Sequence, residues 1–99
     1  MQPDLQANNA GAVVVHRPVT MTAGAVRHIK VYLDDHLVAD LARGDSIRVP
    51  AGPGPHLLQA RCTPLIPSSV PVILEPGEVL HARVCVTPLD ELDIDFVED

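Results

Sequence analysis

Residues 29–49 read IKVYLDDHLVADLARGDSIRV, and this stretch decides the fold class. Apolar and polar side chains alternate from Ile29 to Leu33, and a period of two is the pattern of a strand with one buried face. The pair DD at 34–35 and the triplet RGD at 43–45 interrupt the apolar pattern with residues that favour turns. The stretch therefore predicts three short strands joined by two tight turns.

The same rhythm continues on both sides of this stretch. Residues 50–55 are rich in proline and glycine, and residues 63–69 contain two prolines, so we expect loops at both places. EPGE at 75–78 is a turn signal. Strands separated by such short connections are typical of an all-β, antiparallel β-sandwich of seven to eight short strands, with a small β-barrel as the alternative. The predicted strands are 11–19, 26–33, 37–41, 46–49, 56–62, 70–74 and 79–86, followed by Leu92, Ile94 and Phe96.

The chain has 99 residues, which is enough for one domain with a modest core. With one Phe, one Tyr and no Trp, that core must consist of aliphatic side chains. Ten prolines disfavour long helices, because proline in a helix costs about 3 kcal/mol. We expect a flexible segment at residues 1–10, the sandwich domain at 11–88, and an acidic strand or docking tail at 89–99.

Negative charge is concentrated at the C-terminus. Six of the 13 acidic residues lie in the last ten positions, and the other seven balance the seven basic residues of the chain. A body without excess positive charge is a poor binder of phosphate backbones, so nucleic acid is not an expected partner. Adhesion to anionic membranes is disfavoured for the same reason, and no apolar run is long enough for a membrane-spanning helix.

No export signal is visible in the polar N-terminal residues, so we expect a cytoplasmic protein, either on its own or as part of a larger particle. The alternative is that an export segment was removed. Two cysteines are too few for a disulfide framework. Strand parity places Cys62 on the apolar face of its strand and Cys85 on the opposite face of another. Parity therefore predicts one buried cysteine and one half-exposed thiol rather than a bridge.

The middle of the chain resembles the small bacterial domains of the PEGA type over residues 13–86. Val31, Leu33 and Asp34 match the first strand of that pattern, and Pro50, Gly54, His56, Leu58 and Ala60 match its later proline–glycine corner and strand. The hairpin glycine of the pattern is Asp35 here. The resemblance implies a non-catalytic sandwich module of the kind attached to bacterial envelope proteins.

The residue types that carry chemistry do not form a recognisable site in the sequence. The five histidines lack the close spacing of a zinc site, and Asp34, Asp35 and Asp40 lack the spacing of a calcium loop. His56 is expected to cap the proline–glycine corner through hydrogen bonds to the backbone. Cys85 and His81 lie on one strand about 13 Å apart, too far for a nucleophile and its base. We therefore predict that the protein is not an enzyme and binds neither a metal nor a cofactor. The five histidines are His16, His28, His36, His56 and His81.

The C-terminal segment is the best functional candidate, because apolar and acidic side chains alternate along it. One interpretation is a final edge strand that its charge protects against edge-to-edge pairing. The other is a docking peptide that adds to a neighbouring subunit or binds a basic groove, with Phe96 as its anchor. The predicted partner-binding residues are Leu92, Ile94, Phe96, Asp93 and Asp95.

These features favour a non-enzymatic adaptor, or an assembly or accessory subunit, that binds a protein partner or associates with itself as a homo-oligomer. A virion or secretion-machine accessory protein is one version of this hypothesis. An envelope- or carbohydrate-binding module is the alternative, although sugar sites use exposed aromatic rings and only Tyr32 and Phe96 are present.

Overall fold

The computed structural model describes residues 10–19 and 28–97. Within these residues no helix is long and apolar enough to cross a membrane. The predicted flexible segment lies almost wholly outside the described part, as do residues 26 and 27 of the second predicted strand. The described residues form eight strands, which are β1 (Gly11–His16), β2 (Ile29–Leu33), β3 (His36–Leu41), β4 (Ser46–Ala51), β5 (Gly54–Arg61), β6 (Ser68–Leu74), β7 (Val79–Val86) and β8 (Leu92–Val97).

The strands form two separate four-stranded sheets, which confirms the predicted sandwich rather than its alternative. Sheet A has the order β4-β1-β7-β8, and sheet B has the order β3-β2-β5-β6. Pairing is antiparallel except between β1 and β7, which run parallel. Strand β3 contacts β4 across the sandwich, and β6 contacts β8. The sandwich therefore has one flank with the edges β3 and β4 and another flank with β6 and β8.

The core lies between the sheets and is aliphatic, as the composition predicts. Val31, Leu58 and Val84 share one interior, together with Val13 and Ile94. Strand parity is confirmed on β7, where Ala82 and Val84 face inward with Val86. Cys62 is buried with this cluster, Cys85 is half-buried on the other face, and both thiols are free.

Several predicted boundaries were wrong, each next to proline. The first strand ends at His16 rather than at residue 19, and Arg17 donates a hydrogen bond to the Leu41 carbonyl (2.8 Å) in sheet B. Residues 50–55 are not one loop, because β4 continues to Ala51 and β5 begins at Gly54. Strand β6 likewise begins two residues before its predicted start, at Ser68. Edge strands and the first residues of a strand tolerate proline, so the loops at 50–55 and 63–69 were predicted too long.

The β2–β3 turn has two central residues with positive φ, Asp34 at 52° and Asp35 at 67°. These values fit a two-residue type I′ turn, whose twist matches that of the flanking strands. Such turns strongly favour glycine at the second central position. Aspartate adopts this left-handed region more readily than most other residues do. The turn thus accommodates the replacement of the usual hairpin glycine by Asp35 at a local conformational cost.

Candidate interaction surface

Strand β8 is the edge of sheet A on the β6–β8 flank. It pairs with β7 in one continuous antiparallel register, from Leu92 opposite Val86 to Val97 opposite His81. Among the described residues no strand lies on its other side. The acidic C-terminal segment is therefore an edge strand of its own domain in this structure.

The backbone of β8 directs alternate residues toward solvent. At the β7–β8 turn, the Thr87 N–H donates to the Glu91 carbonyl (2.8 Å), so these two opposite residues are a hydrogen-bonded pair. Hydrogen-bonded and non-hydrogen-bonded pairs alternate along an antiparallel ladder. Counted from Glu91, every second residue of β8 bonds to β7, and these residues include Asp93 and Asp95. The N–H and C=O groups of the intervening residues point to the free edge, and these residues are Leu92, Ile94 and Phe96.

Two of the other three edges have a proline at the free side. The Ala12 N–H donates to the Glu78 carbonyl (3.0 Å), immediately before β7, so Ala12 bonds toward β7 and not toward β4. Its partner on β4, Pro50, therefore faces away from β1. On β6, the partner of Leu57 is Pro71. Leu57 bonds to β2 through its carbonyl, which accepts the Asp34 N–H (2.9 Å), so Pro71 also faces the free edge. Each proline removes a donor that an added strand would need.

The third edge, β3, has an irregular register. Val31 pairs with Ala39 but Tyr32 pairs with Leu37, so β3 has one extra residue at Val38. Such a bulge bends an edge strand and hinders further pairing. Strand β8 has neither a proline nor a bulge. Of the four described edges, β8 is the one with an uninterrupted row of backbone donors and acceptors.

The predicted contact residues divide between the core and the surface. Leu92 and Ile94 are each 8% exposed and pack into the core, so their side chains serve the fold rather than a partner. Phe96 has inward parity but is 44% exposed, because it lies where the core opens between β8 and β6. There it lines a groove of about 210 Å³ together with Leu80 and Ile73, and Ile73 is 74% exposed.

Asp93 and Asp95 lie on the outer face of sheet A, both half-buried. The Arg83 guanidinium donates to Asp95 Oδ2 (3.2 Å), while Asp93 faces Cys85 across the ladder. Burial raises the pKa of the Cys85 thiol, and these two carboxylates raise it further. The protonated thiol is a weaker nucleophile than the thiolate, so burial and these carboxylates lower the reactivity of Cys85 beside the acidic outer face of β8.

His56 caps the β4–β5 turn, as predicted, and also binds a residue that the sequence did not connect to it. Its Nε2 lies 2.7 Å from the Gly52 carbonyl, and its Nδ1 lies 2.6 Å from Asp34 Oδ2. Asp34 Oδ1 also accepts the Leu57 N–H (2.8 Å). Both ring nitrogens of His56 face acceptors, so the doubly protonated ring satisfies both contacts. We call the contacts among Asp34, His56 and Gly52 the turn clip.

The turn clip changes two pKa values. The hydrogen bond to Asp34, followed by that to Gly52, raises the pKa of His56 above its ordinary value of 6.5. The hydrogen bond from His56, followed by that from Leu57, lowers the pKa of Asp34 below 3.8. His56 is the more enclosed of the two, with 15% of its side chain exposed against 47% for Asp34. The pair joins the β2–β3 turn to the β4–β5 turn, which is a structural role.

The other candidate residues are dispersed. Within residues 10–19 and 28–97 no group of three His, Cys, Asp or Glu side chains is arranged to hold a metal ion. His28 contacts Asp40 (3.3 Å), and His16 contacts Ser46 (2.7 Å). One face of the Tyr32 ring is covered by the Arg61 guanidinium, 4.1 Å from the ring centroid. Comparison with known proteins gives no match, either to a protein family or to a curated sequence.

Proposed function

We propose that the protein is a non-enzymatic interaction module, an adaptor or assembly subunit, that binds an extended segment of a partner protein by strand addition to β8. The observation that supports this proposal is the uninterrupted free edge of Leu92, Ile94 and Phe96. In strand addition, backbone hydrogen bonds supply affinity and alternate side chains supply specificity. The other described edges carry a proline or a bulge at the place where an added strand would pair.

The side chains beside this edge define the chemistry of the partner. Asp93 and Asp95 would lie next to the outward side chains of an added strand, and cross-strand pairs of opposite charge are favourable. The inward side chains of that strand would lie beside Phe96 and the groove toward Ile73. The proposed partner segment therefore alternates Lys or Arg with aliphatic residues.

Direct pairing of β8 with β8 of a second copy is disfavoured, because it would bring the carboxylates of both strands together. Strand β4 of a second copy offers Arg48 between Ile47 and Val49, although Pro50 shortens its free edge. The predicted homo-oligomer stays a prediction that light scattering checks. A mass that rises with concentration and falls on Arg48→Glu substitution would identify a second copy as the partner.

A peptide of alternating lysine and valine is a suitable probe of the edge. We expect its addition to the isotopically labelled full chain to shift the amide resonances of β8, with saturation below about 1 mM. A peptide of alternating glutamate and valine is the control for charge and should bind at least about tenfold more weakly, since it faces Asp93 and Asp95.

The matched variants are Phe96→Pro and Phe96→Ala. Both remove the aromatic ring, but proline also removes the N–H at the free edge. We expect Phe96→Ala to retain part of the peptide affinity and Phe96→Pro to lose it. Equal binding by the two variants, or shifts that map to another edge, would contradict strand addition at β8. Truncation after Thr87 is a poorer test, because it also removes Leu92 and Ile94 from the core.

A further inference from the structure

A second surface feature lies on the outer face of sheet B, opposite in the sandwich to the acidic face of β8. A pocket of about 470 Å³ is lined by His28, Lys30, Tyr32, Arg61, Cys62 and Thr63. It lies where β2 begins and β5 ends. Lys30 and Arg61 are directly opposite each other in the β2–β5 register. Like charges in that arrangement destabilise a sheet unless something compensates them.

The described residues compensate this charge only in part. Asp40 is opposite Lys30 on β3, but its carboxylate contacts His28 Nδ1 (3.3 Å), and Lys30 forms no ion pair with it. Arg61 contacts the neutral amide of Gln59 at 3.5 Å, the limit of a hydrogen bond. One carboxylate thus serves two permanent cations and a histidine. Counted over the described residues, the pocket keeps an excess positive charge in a chain whose net charge is −6.

The guanidinium of Arg61 is held before any ligand arrives. It stacks on the Tyr32 ring, 4.1 Å from the centroid, and this cation–π contact restricts the side chain. Stacking uses the face of the guanidinium and leaves its N–H edges for acceptors. A planar fork of donors matches the two oxygens of a carboxylate or phosphate group. Thr63 also lines the pocket, and a threonine side chain carries a hydroxyl donor.

We propose that this pocket binds a small organic oxyanion, with Lys30 and Arg61 as the groups that hold its carboxylate or phosphate. The volume falls in the range of about 300–1,000 Å³ that is usual for small-molecule sites, so a bare inorganic ion would leave most of it unfilled. The organic part of the ligand would occupy the remaining space beside Tyr32 and Thr63. This site is separate from the β8 edge and does not depend on strand addition.

Tyr32 provides a specific signal, because the chain has one tyrosine and no tryptophan. Its fluorescence is titrated with succinate, glucose 6-phosphate and inorganic phosphate at low ionic strength, with glucose as the neutral control. We expect a saturable change with succinate or glucose 6-phosphate below about 10 mM, weaker binding of inorganic phosphate, and no saturation with glucose. The tighter of the two organic probes identifies the preferred anionic group.

Three variants assign the signal. Lys30→Gln keeps the Arg61–Tyr32 stack and should weaken binding about tenfold, as should Arg61→Gln, because each removes a charged hydrogen-bond donor. Arg43→Gln in the β3–β4 turn is the matched control for net charge and should change the dissociation constant less than about twofold. Circular dichroism confirms that each variant is folded. An equal loss in Arg43→Gln, or no saturation by any organic oxyanion in the native chain, would overturn the proposal.

Discussion

Strands β4 and β8 are the two edges of the same sheet, and they are protected in different ways. Pro50 removes a donor from the free side of β4, and the turn clip fixes the β4–β5 turn that follows it. Strand β8 keeps every donor and carries Asp93 and Asp95 instead. A missing donor blocks every added strand, whereas a charge repels some strands and attracts others. If β8 accepts a strand as proposed, this difference makes it the selective edge of sheet A.

The largest expected effect on stability comes from proline at a position of β8 whose N–H bonds to β7. Asp95→Pro removes an N–H that bonds to β7, and we expect a loss of about 3 kcal/mol or more in the free energy of unfolding. Phe96→Pro places the missing donor at the free edge, as Pro50 does on β4, and should cost within about 1 kcal/mol of Phe96→Ala. Urea denaturation measures all three variants. Similar losses of stability in the two proline variants would contradict the assignment of Asp95 to the bonded side and Phe96 to the free side of β8.

Truncation of one inward side chain on each edge strand compares how much β8 and β4 contribute to the core. Ile94→Ala removes a buried side chain of β8 and should lower the free energy of unfolding by about 3 kcal/mol. Val49→Ala, on the partly buried inner face of β4, should cost about 1 kcal/mol. If Ile94→Ala cost no more than Val49→Ala in thermal or urea unfolding, β8 would be a loosely attached tail rather than a strand.

The turn clip at the β4 end should make stability depend on pH. Because the pKa of His56 is raised above 6.5, its contribution is fully present below pH 6.5 and is lost as pH rises through the folded value. Because the pKa of Asp34 is lowered below 3.8, its contribution is present above pH 3.8 and is lost as pH falls through the folded value. Stabilisation by the pair is therefore greatest between these two ordinary values.

His56→Gln tests this dependence. We expect a loss of about 1 kcal/mol near pH 5, where both contacts are formed, and a smaller loss near pH 8. Asp34 is half exposed, and solvent keeps the effect modest. His36→Gln is the control, since Nδ1 of that exposed histidine bonds to the Asp34 carbonyl (2.9 Å) and its charge is the smallest of the causes that lower the pKa of Asp34. A difference between native protein and His56→Gln that grows from pH 5 to pH 8 would contradict the clip.

The smallest expected effect is a gain at the β2–β3 turn. Asp35→Gly relieves the cost of a side chain at φ 67°, and part of that gain is offset by the greater entropy of glycine in the unfolded chain. We expect about 0.5–1 kcal/mol of added stability, measured by thermal unfolding. A loss would show that the Asp35 side chain makes a contribution that outweighs its backbone strain.

The sequence predicted the sandwich because its strands alternate with a period of two, which places Val31, Leu58 and Val84 inside. It also predicted that His56 caps a turn and that the C-terminal segment could be an edge strand. The contact between His56 and Asp34 was missed, since 22 residues separate them and the pairing of β2 with β5 brings them together.

The protection of the edges also lies beyond sequence reasoning. Pro71 reads as a proline within a strand, and whether its missing N–H faces β5 or solvent depends on the register. The parallel pairing of β1 with β7 shows no local signal either, because it joins segments more than 60 residues apart. Long-range pairing of this kind follows from how the two sheets pack, whereas alternation and turn residues report only local structure.

Amide hydrogen exchange along β8, resolved by NMR, tests the central claim most directly. In the isolated protein we predict slow exchange for Asp93 and Asp95, whose amides bond to β7, and fast exchange for Leu92, Ile94 and Phe96 at the free edge. Addition of the lysine–valine peptide should slow the second set and leave the first unchanged. Protection of Leu92, Ile94 and Phe96 before any addition, or fast exchange at all five positions, would contradict the open edge.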